Sequence, residues 1–303
     1  MSAPLVTRFA PSPTGRLHLG HLAHMIRLWG VAEELGARVL LRIEDHDRAR
    51  SRPEHERAIL QDLDWLGFPY EHPDGQLYRQ SDHPERYERA LARLAEQGLV
   101  YRCSCSRKRI AADSPEPGPD GERRYSGRCR DRDPPPASDY GLRVRLEPRV
   151  ETFEDGILGP QAQNPAEQCG DLLVRDRLGD WTYQFAVTVD DLEQGVDLVV
   201  RGEDLLPSTG RQIRLARLLG REAPPRFYHH PVLLGADGKK LSKRDEATPL
   251  SELRAAGRSV ESLIEQAAGV LLPFHERTAS AAEGVSQPGV SRQSGGAADS
   301  DSV

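Results

Sequence analysis

The sequence predicts an α/β fold class with a doubly wound parallel sheet, because apolar strands and helices alternate along its first hundred residues. Residues 5–10 form a short apolar segment that prolines close, and residues 38–44 form a continuous apolar run of the kind buried on both faces of a sheet. Between them, apolar residues recur at helical spacing over 18–35, and Gly36 predicts the end of that helix. This strand–helix–strand order is typical of parallel sheets joined by crossover helices.

The rest of the chain adds elements of the same two kinds around an irregular middle. Two further helices are predicted at 53–66 and 84–98. Regular patterning is then lost from about 101 to 160, where Pro, Gly and Arg are frequent. Regular structure returns as a hairpin at 171–182, strands at 196–201 and 227–234, and helices at 206–219 and 250–271. We therefore predict a Rossmann-like sheet in two halves, split by an inserted module.

This pattern divides the chain into segments. The first half of a nucleotide-binding catalytic domain is predicted at 1–100, an insertion at 101–170 and the second half of the catalytic domain at 171–249. A short C-terminal helical stub is predicted at 250–275. Residues 276–303 are mostly small and polar with few large apolar side chains, and this composition predicts a disordered tail.

Composition argues against some classes of function. The chain has 303 residues with 41 Lys and Arg against 47 Asp and Glu, and its net charge of −6 argues against a nonspecific nucleic-acid coat protein. The N-terminus lacks a secretory signal and no apolar run approaches the ~18 residues of a membrane span, so we expect a cytoplasmic protein without membrane partners. Basic residues nevertheless crowd one segment, either as a solvated loop or as an RNA-binding surface: Arg102, Arg107, Lys108, Arg109, Arg123, Arg124, Arg128, Arg130 and Arg132.

The first candidate site lies in the loop after the first strand, in the sequence RFAPSPTGRLHLGH from Arg8 to His21. A strand that runs through a Gly/Pro loop into a helix places backbone N–H groups and a positive helix end where open sheets bind nucleotides. His18 and His21 share a face of this helix, and Gly20 leaves room for a ribose or a base. The two imidazoles can donate to phosphate oxygens, although ordinary surface histidines are the commoner explanation of an isolated pair.

The second candidate site is the basic loop GKKLSKR, which follows the last predicted strand of the sheet. Closely spaced lysines in a flexible loop suit a triphosphate, and Lys243 could neutralise the departing pyrophosphate. A solvated basic turn is the better explanation of such a loop in isolation. The two motifs occur together, however, and their joint occurrence favours an ATP site.

HxGH at the first strand–helix turn and KLSKR after the last strand together resemble the paired signatures of class I aminoacyl-tRNA synthetases. The extended first motif is similar to that of the glutamyl branch, and the resemblance covers roughly residues 1–250. It implies a ligase that activates glutamate as an adenylate, using ATP with Mg²⁺, and transfers it to RNA. It further implies that His18, His21 and Lys243 are catalytic, and that these residues contact ATP together with Gly20 and Lys240.

A glutamate pocket needs at least one acid and one or two arginines, because glutamate presents an ammonium group and two carboxylates. Arg8, Glu44 and Arg201 stand at predicted strand ends, near the carboxyl edge of the sheet. By resemblance, Glu44 holds the ammonium group and the two arginines pair with carboxylates. Ordinary surface ion pairs are the alternative. The glutamate-binding set that the resemblance implies is Arg8, Phe9, Ala10, Pro11, Ser12, Glu44, Tyr183 and Arg201.

Three of the four cysteines lie close together in the predicted insertion, at Cys103, Cys105 and Cys129, and Tyr125 lies between them. Three thiolates and one further ligand would form a closed tetrahedral zinc site, which would stabilise a segment so rich in Pro, Gly and Arg. Reduced structural cysteines are the alternative, and either Tyr125 or water could be the fourth ligand. The pattern resembles the zinc site of glutamyl-Q tRNA(Asp) synthetases, which implies a zinc-containing insertion with one structural Zn²⁺ per chain.

Full-length glutamyl-tRNA synthetases carry a helical anticodon-binding domain after the KLSKR loop. We expect none here, because few residues follow Arg244. Glutamyl-Q tRNA(Asp) synthetases resemble the catalytic half alone and attach glutamate to queuosine in the anticodon loop of tRNA(Asp). The resemblance therefore implies L-glutamate, ATP and a tRNA(Asp) anticodon stem-loop as partners, and we expect a monomer. Three alternatives stay open: a minimal glutamyl- or glutaminyl-tRNA synthetase that charges a tRNA 3′ end, a small-molecule nucleotidyltransferase with HxGH, and a catalytically inactive RNA-binding paralogue.

Overall fold

The computed structural model describes residues 3–118, 121–132, 139–231 and 248–269. The predicted KLSKR loop falls within residues 232–247 and the predicted tail falls beyond residue 269, so both lie outside the described residues. Within the described ranges, the predicted α/β fold with parallel strands is confirmed.

The first part of the chain builds three parallel strands and three helices: β1 (Val6–Phe9), α1 (Leu19–Leu35), β2 (Arg38–Ile43), α2 (Pro53–Leu66), β3 (Tyr78–Arg79) and α3 (Pro84–Glu96). The strands pair in the order β1-β2-β3. Helix α1 ends at Gly36, whose φ of 63° lies in the left-handed region that glycine tolerates. Prolines open α2 and α3, because the first helical position has no need of an N–H group.

The rest of the described chain contains β4 (Val100–Cys103), α4 (Arg107–Asp113), β5 (Gly141–Val144), β6 (Glu151–Asp155), β7 (Gly159–Gln163), α5 (Pro165–Gln168), β8 (Leu172–Arg175), α6 (Tyr183–Glu193), β9 (Leu198–Gly202), α7 (Thr209–Leu218), β10 (Arg226–His230), α8 (Leu250–Ala255) and α9 (Val260–Gly269). Strand β10 runs parallel to both β9 and β6, and β7 is antiparallel at the outer side of β6. The two halves meet where the N–H of Asp197, just before β9, donates to the Val6 carbonyl of β1 at 3.0 Å.

The segment predicted as an insertion divides between two sheets. Strands β4, β5 and β8 form a separate antiparallel sheet. Strands β6 and β7 also lie in the range 101–170, yet they join β9 and β10 in the main sheet. The residues of β6 alternate strictly between buried and exposed, as a strand with one solvated face does. Its parallel partner β10 is remote in sequence, which is why local pattern did not indicate this pairing.

Two further differences concern helices. The predicted hairpin reduces to a single antiparallel bridge between Arg175 and Trp181, after which the chain enters α6. The helix predicted over 250–271 is two helices, α8 and α9, and Gly257 between them has a φ of 75° that ends the first.

The main core lies between α1 and the first half of the sheet. Leu22, Met25 and Leu28 of α1 are fully buried against strands β1 and β2, and Leu263 of α9 packs on the same cluster. This packing holds the start of α1 at the carboxyl edge of the sheet. No helix within the described ranges is long and apolar enough to cross a membrane.

Candidate active site

The two histidines of the HxGH motif cap the N-terminus of α1 through each other. His18 is the N-cap residue, and its Nδ1 accepts a hydrogen bond from the N–H of Gly20 at 3.1 Å. The Nδ1 of His21 accepts from the N–H of His18 at 3.1 Å, and the ring centroids are 3.9 Å apart. Since both Nδ1 atoms are acceptors, each neutral ring carries its proton on Nε2. The capping geometry therefore fixes the tautomer that can donate to a phosphate oxygen.

Backbone hydrogen bonds anchor the loop that precedes these histidines. The carbonyl of Pro11 accepts from the N–H of Glu44 at 3.0 Å, and the carbonyl of Pro13 accepts from the N–H of Arg52 at 3.0 Å. Both prolines are buried, while Ser12 and Ala10 are half-buried. Phe9 is buried against Trp29, with ring centroids 5.6 Å apart. The predicted loop residues thus line the carboxyl end of β1 beside the end of β2.

A buried ion-pair network lies at the same edge and includes Arg42 and Asp191, neither of which was predicted from the sequence as a site residue. Arg8 Nε donates to Asp191 at 3.0 Å, and Arg42 lies 2.8 Å from Asp191 and 2.9 Å from Glu44. Burial disfavours the charged form of Asp191, yet the charges of Arg8 and Arg42 hold its pKa below its ordinary value. Asp191 is therefore ionised. The one signal for it in the sequence is a pair of acids, Asp190 and Asp191, after an otherwise apolar stretch.

The electrostatic environment of Tyr183 shows that four of the predicted glutamate-binding residues lie close together. Burial raises the pKa of Tyr183, and the charge of Glu44 raises it further. The charges of Arg201 and Arg8 act in the opposite direction, so all three side chains lie within electrostatic reach of this phenol. Glu44 and Arg8 are 5% and 6% exposed, which argues against the alternative of ordinary surface ion pairs.

Arg201 is held differently from Arg8 and Arg42, because the three side chains that accept its hydrogen bonds among the described residues are neutral. Its Nε donates to His229 Nε2 at 3.0 Å, and its terminal nitrogens donate to Gln212 Oε1 at 2.7 Å and to Thr209 Oγ1 at 2.8 Å. Burial lowers the pKa of Arg201 to about 10, which still leaves it charged at neutral pH. A buried guanidinium with neutral acceptors is suited to an anionic ligand.

The three clustered cysteines converge in space as predicted from their spacing. Within the described residues, the sulfur atoms of Cys103, Cys105 and Cys129 lie within 4.8 Å of one another, and those of Cys105 and Cys129 are 3.5 Å apart. The Tyr125 hydroxyl oxygen lies 3.4 Å from the Cys103 sulfur and accepts from the Cys129 N–H at 2.8 Å. Sulfurs about 3.8 Å apart are what tetrahedral zinc requires, so this donor set fits the metal.

A cavity of about 490 Å³ extends between this cluster and the ion-pair network, since Tyr125 and Tyr183 both line it. Its other polar walls include Arg143 and Arg211, both of them buried side chains. Arg143 lies over the Tyr125 ring at 3.7 Å from the centroid. The cavity is large enough for a nucleoside and has arginines that suit a phosphate or a polar base.

Comparisons with known proteins identify related sequences. The family described as tRNA synthetases class I (E and Q), catalytic domain, matches residues 4–293. The glutamyl-Q tRNA(Asp) synthetase of Geobacter sulfurreducens is 44% identical over 259 residues, which are 85% of this chain and 80% of that protein. Glutamate–tRNA ligase 2 of Halorhodospira halophila is 42% identical over 265 residues, which are 85% of this chain and 55% of that protein.

Solved structures show the same relationship. The crystal structure of the glutamate–tRNA synthetase from Elizabethkingia anophelis matches with a TM-score of 0.67 and 30% identity, over 80% of this chain and 53% of that one. The chain thus spans about half the length of the glutamate–tRNA ligases that it matches. Several relatives with 40–45% identity are named glutamyl-Q tRNA(Asp) synthetase, and the resemblance predicted from the motifs is confirmed.

Proposed function

The chain belongs to the family of class I tRNA synthetases (E and Q), and we propose that it activates L-glutamate with ATP and transfers it to queuosine in the anticodon loop of tRNA(Asp). The observation that carries the first half of this proposal is the convergence of Arg8, Glu44, Tyr183 and Arg201 at one edge of the sheet. These groups match the two carboxylates and the ammonium group of glutamate.

In the proposed activation step, Glu44 binds the substrate ammonium group, and Arg201 together with Arg8 binds its carboxylates. An α-carboxylate oxygen attacks the α-phosphorus of ATP, which forms glutamyl-adenylate and releases pyrophosphate. The Nε2–H groups of His18 and His21 donate to phosphate oxygens as negative charge shifts toward the leaving group. Lys240 and Lys243 of the KLSKR loop are proposed to neutralise that charge, and Mg²⁺ carried by ATP supplies further positive charge.

The acceptor half of the proposal is supported by the names of the relatives and by the surface beside the site. Relatives that this chain matches over most of their length are named for tRNA(Asp) and a Q nucleoside. A hydroxyl of the acceptor nucleoside would attack the adenylate carbonyl carbon, and AMP would leave. The arginine-lined cavity next to Tyr183 offers space for that nucleoside. We also propose that the enzyme acts as a cytoplasmic monomer.

Glutamate-dependent ATP–pyrophosphate exchange without RNA tests the activation step. We expect exchange with glutamate, because the residues that we propose to bind glutamate and ATP lie in this chain. The exchange should require Mg²⁺, which ATP carries on its phosphates. Absence of exchange with folded protein would contradict the proposal. A second candidate is a synthetase that charges a tRNA 3′ end, which the similarity to glutamate–tRNA ligases favours. Locating labelled glutamate on digested tRNA separates the two.

We further propose that Cys103, Cys105 and Cys129 hold one structural Zn²⁺. Their sulfur spacing fits a tetrahedral site, and Tyr125 lies beside Cys103 where a fourth ligand is needed. Cys103 ends β4, so a metal here would join that strand to the loop that carries Cys129. This zinc would be structural, because joining the strand to that loop would keep the nearby basic residues in place.

We expect one zinc per purified chain by elemental analysis, and its loss on replacing Cys103, Cys105 or Cys129 with serine. Destabilisation should centre on the β4–β5–β8 sheet and spare the nucleotide site, which hydrogen exchange can resolve. Cys169→Ser is the matched control, because Cys169 donates to the Pro165 carbonyl instead of joining the cluster. Zinc-free protein after careful purification would refute the site, whereas unaltered zinc content in Tyr125→Phe would reject Tyr125 alone as a ligand.

A further inference from the structure

Three side chains form a row across neighbouring strands at the carboxyl edge of the sheet. Asp155 ends β6, His229 lies near the end of β10, and Arg201 lies near the end of β9. His229 and Arg201 are register partners in the parallel pair β10–β9. All three side chains are nearly inaccessible to solvent, at 3%, 0% and 4% exposure. Hydrogen bonds within the row therefore operate in a low-dielectric environment, where geometry is strongly enforced.

Asp155 is fixed as an ionised acceptor. One carboxylate oxygen accepts from the N–H groups of Ile157 and Leu158 at 3.0 and 2.9 Å. The other accepts from His229, at 3.1 Å from its backbone nitrogen and 2.5 Å from its Nδ1. Burial disfavours the charge, but these hydrogen bonds hold the pKa of Asp155 below its ordinary value. The carboxylate thus has no proton to donate, so His229 Nδ1 must be the donor.

That assignment determines what His229 presents to Arg201. A neutral imidazole with its proton on Nδ1 has a lone pair on Nε2, which accepts from Arg201 Nε at 3.0 Å. Burial lowers the pKa of His229 and outweighs the opposing effect of its hydrogen bond with Asp155. The ring therefore stays neutral, as an acceptor from a guanidinium requires. The Thr209 hydroxyl, 3.2 Å from the same Nε2, accepts from a terminal nitrogen of Arg201.

Arg8 and Arg201 differ in whether a hydrogen-bonded carboxylate offsets their charge. Arg8 is paired with the ionised carboxylate of Asp191, which offsets its charge. Arg201 is instead bound by an imidazole, an amide and a hydroxyl, and these three contacts account for three of its five N–H groups. Within the described part of the chain, one N–H on each terminal nitrogen is left over from these contacts. Two such groups can bind a carboxylate in a bidentate manner.

We propose that Asp155 and His229 are positioning residues that orient the Arg201 guanidinium for the substrate carboxylate. Asp155 selects the tautomer of His229, and His229 holds Arg201 by its Nε without neutralising its charge. The inference rests on the proposed function, since it takes Arg201 as a glutamate-binding residue. It assigns a role in substrate binding to β6, a strand from the segment predicted as an insertion.

The test compares two substitutions, each of which keeps one of the two hydrogen-bonding positions of His229. Asparagine at position 229 can still donate to Asp155 from the place of Nδ1, but it lacks an acceptor near Arg201. Glutamine at position 229 can place its carbonyl oxygen near the site of Nε2 and keep that acceptor. We expect His229→Asn to raise KM for glutamate about tenfold or more in ATP–pyrophosphate exchange, the scale of one lost hydrogen bond to a charged group. KM for ATP should stay within about twofold, and His229→Gln should restore much of the glutamate affinity.

A third variant changes the tautomer of His229 without replacing that residue. In Asp155→Asn, the new NH₂ group faces His229 Nδ1 and favours the tautomer with its proton on Nε2, which opposes Arg201. Glutamate KM should again rise while ATP KM does not. If the wild-type protein fails to activate glutamate, the proposed function is wrong. If it does activate glutamate, the positioning role is overturned by an unchanged glutamate KM in His229→Asn, by equal increases in both KM values, or by identical behaviour of the Asn and Gln variants.

Discussion

Replacing Lys243 with alanine is expected to slow glutamate-dependent ATP–pyrophosphate exchange about a hundredfold or more, the usual scale for one group that stabilises a transition state. Negative charge moves onto the departing pyrophosphate as the adenylate forms. The His18 and His21 rings lie at the start of α1, where we propose that they contact the phosphates. A cation in the KLSKR loop would meet them from the other side. Because that contact strengthens only as charge develops, the loss should fall on kcat more than on either KM.

Exchange of labelled pyrophosphate into ATP measures this effect directly, without RNA. Lys108→Ala is a suitable control, since Lys108 is an exposed lysine on α4 that we place outside the ATP site. Its substitution should leave exchange unchanged while removing the same charge from the chain. Near-normal exchange in Lys243→Ala would remove Lys243 from the mechanism and leave the histidines without their proposed counterpart.

The parts of the fold that could be predicted from sequence are those that local chemistry determines. Helix α2 has the predicted bounds, because Pro53 opens it and Gly67, with a φ of 73°, ends it. Strand β2 could be recognised from an apolar run buried on both faces. The HxGH histidines could be placed on one helix face from their spacing alone. In each case the residues that decide the structure are within a few positions of one another.

Helix α6 was missed for the opposite reason. Its sequence contains Thr188 and the β-branched Val187 and Val189, which favour strands when considered locally. Tertiary packing overrides this preference, since Phe185, Ala186 and Val189 are buried together against α3 and α7. Because no helix was predicted here, nothing in the sequence placed Asp191 at the end of α6, where it reaches Arg8 and Arg42.

The row of Asp155, His229 and Arg201 shows a second limit of local pattern. Asp155 and His229 are 74 positions apart, and nothing in the alternation of β6 indicates which strand it pairs with. Only the parallel register of β9, β10 and β6 brings these side chains to one edge. Sequence could therefore predict Arg201 as a substrate ligand by resemblance, but it could not show what holds Arg201 in place.

The largest expected effect concerns the RNA product. A stem-loop with the anticodon-loop sequence of tRNA(Asp) and a queuosine base is expected to accept glutamate, while the same stem-loop with guanosine is not. The physical reason is the nucleophile. Queuosine carries a cyclopentenediol whose hydroxyls can attack the adenylate carbonyl, and guanosine has no such group on its base. The difference should approach all or none, because without that hydroxyl the ester cannot form on the base.

The exposed basic residues beside the cavity lead to a second expectation, which concerns the affinity for RNA. Eight basic side chains of the segment 102–132 are exposed near the cysteine cluster: Arg102, Arg107, Lys108, Arg109, Arg123, Arg124, Arg128 and Arg132. Such residues suit phosphate contacts on either side of a loop whose bases are splayed into a pocket. Affinity for the stem-loop should therefore fall steeply with salt, and Lys108→Ala should reduce that salt dependence while leaving exchange intact.

Labelled glutamate, followed by nuclease digestion and identification of the labelled nucleoside, is the decisive measurement. Periodate sensitivity is not sufficient, because periodate attacks the cis-diols of both the terminal ribose and queuosine. Full-length tRNA(Asp) containing queuosine should carry the label on the modified base, and removing its 3′-terminal adenosine should not reduce incorporation. If the label is found on the 3′-terminal adenosine, the arginine-lined cavity beside Tyr183 receives the acceptor end instead of the anticodon loop, and the chain acts as a synthetase of the glutamate–tRNA ligase kind.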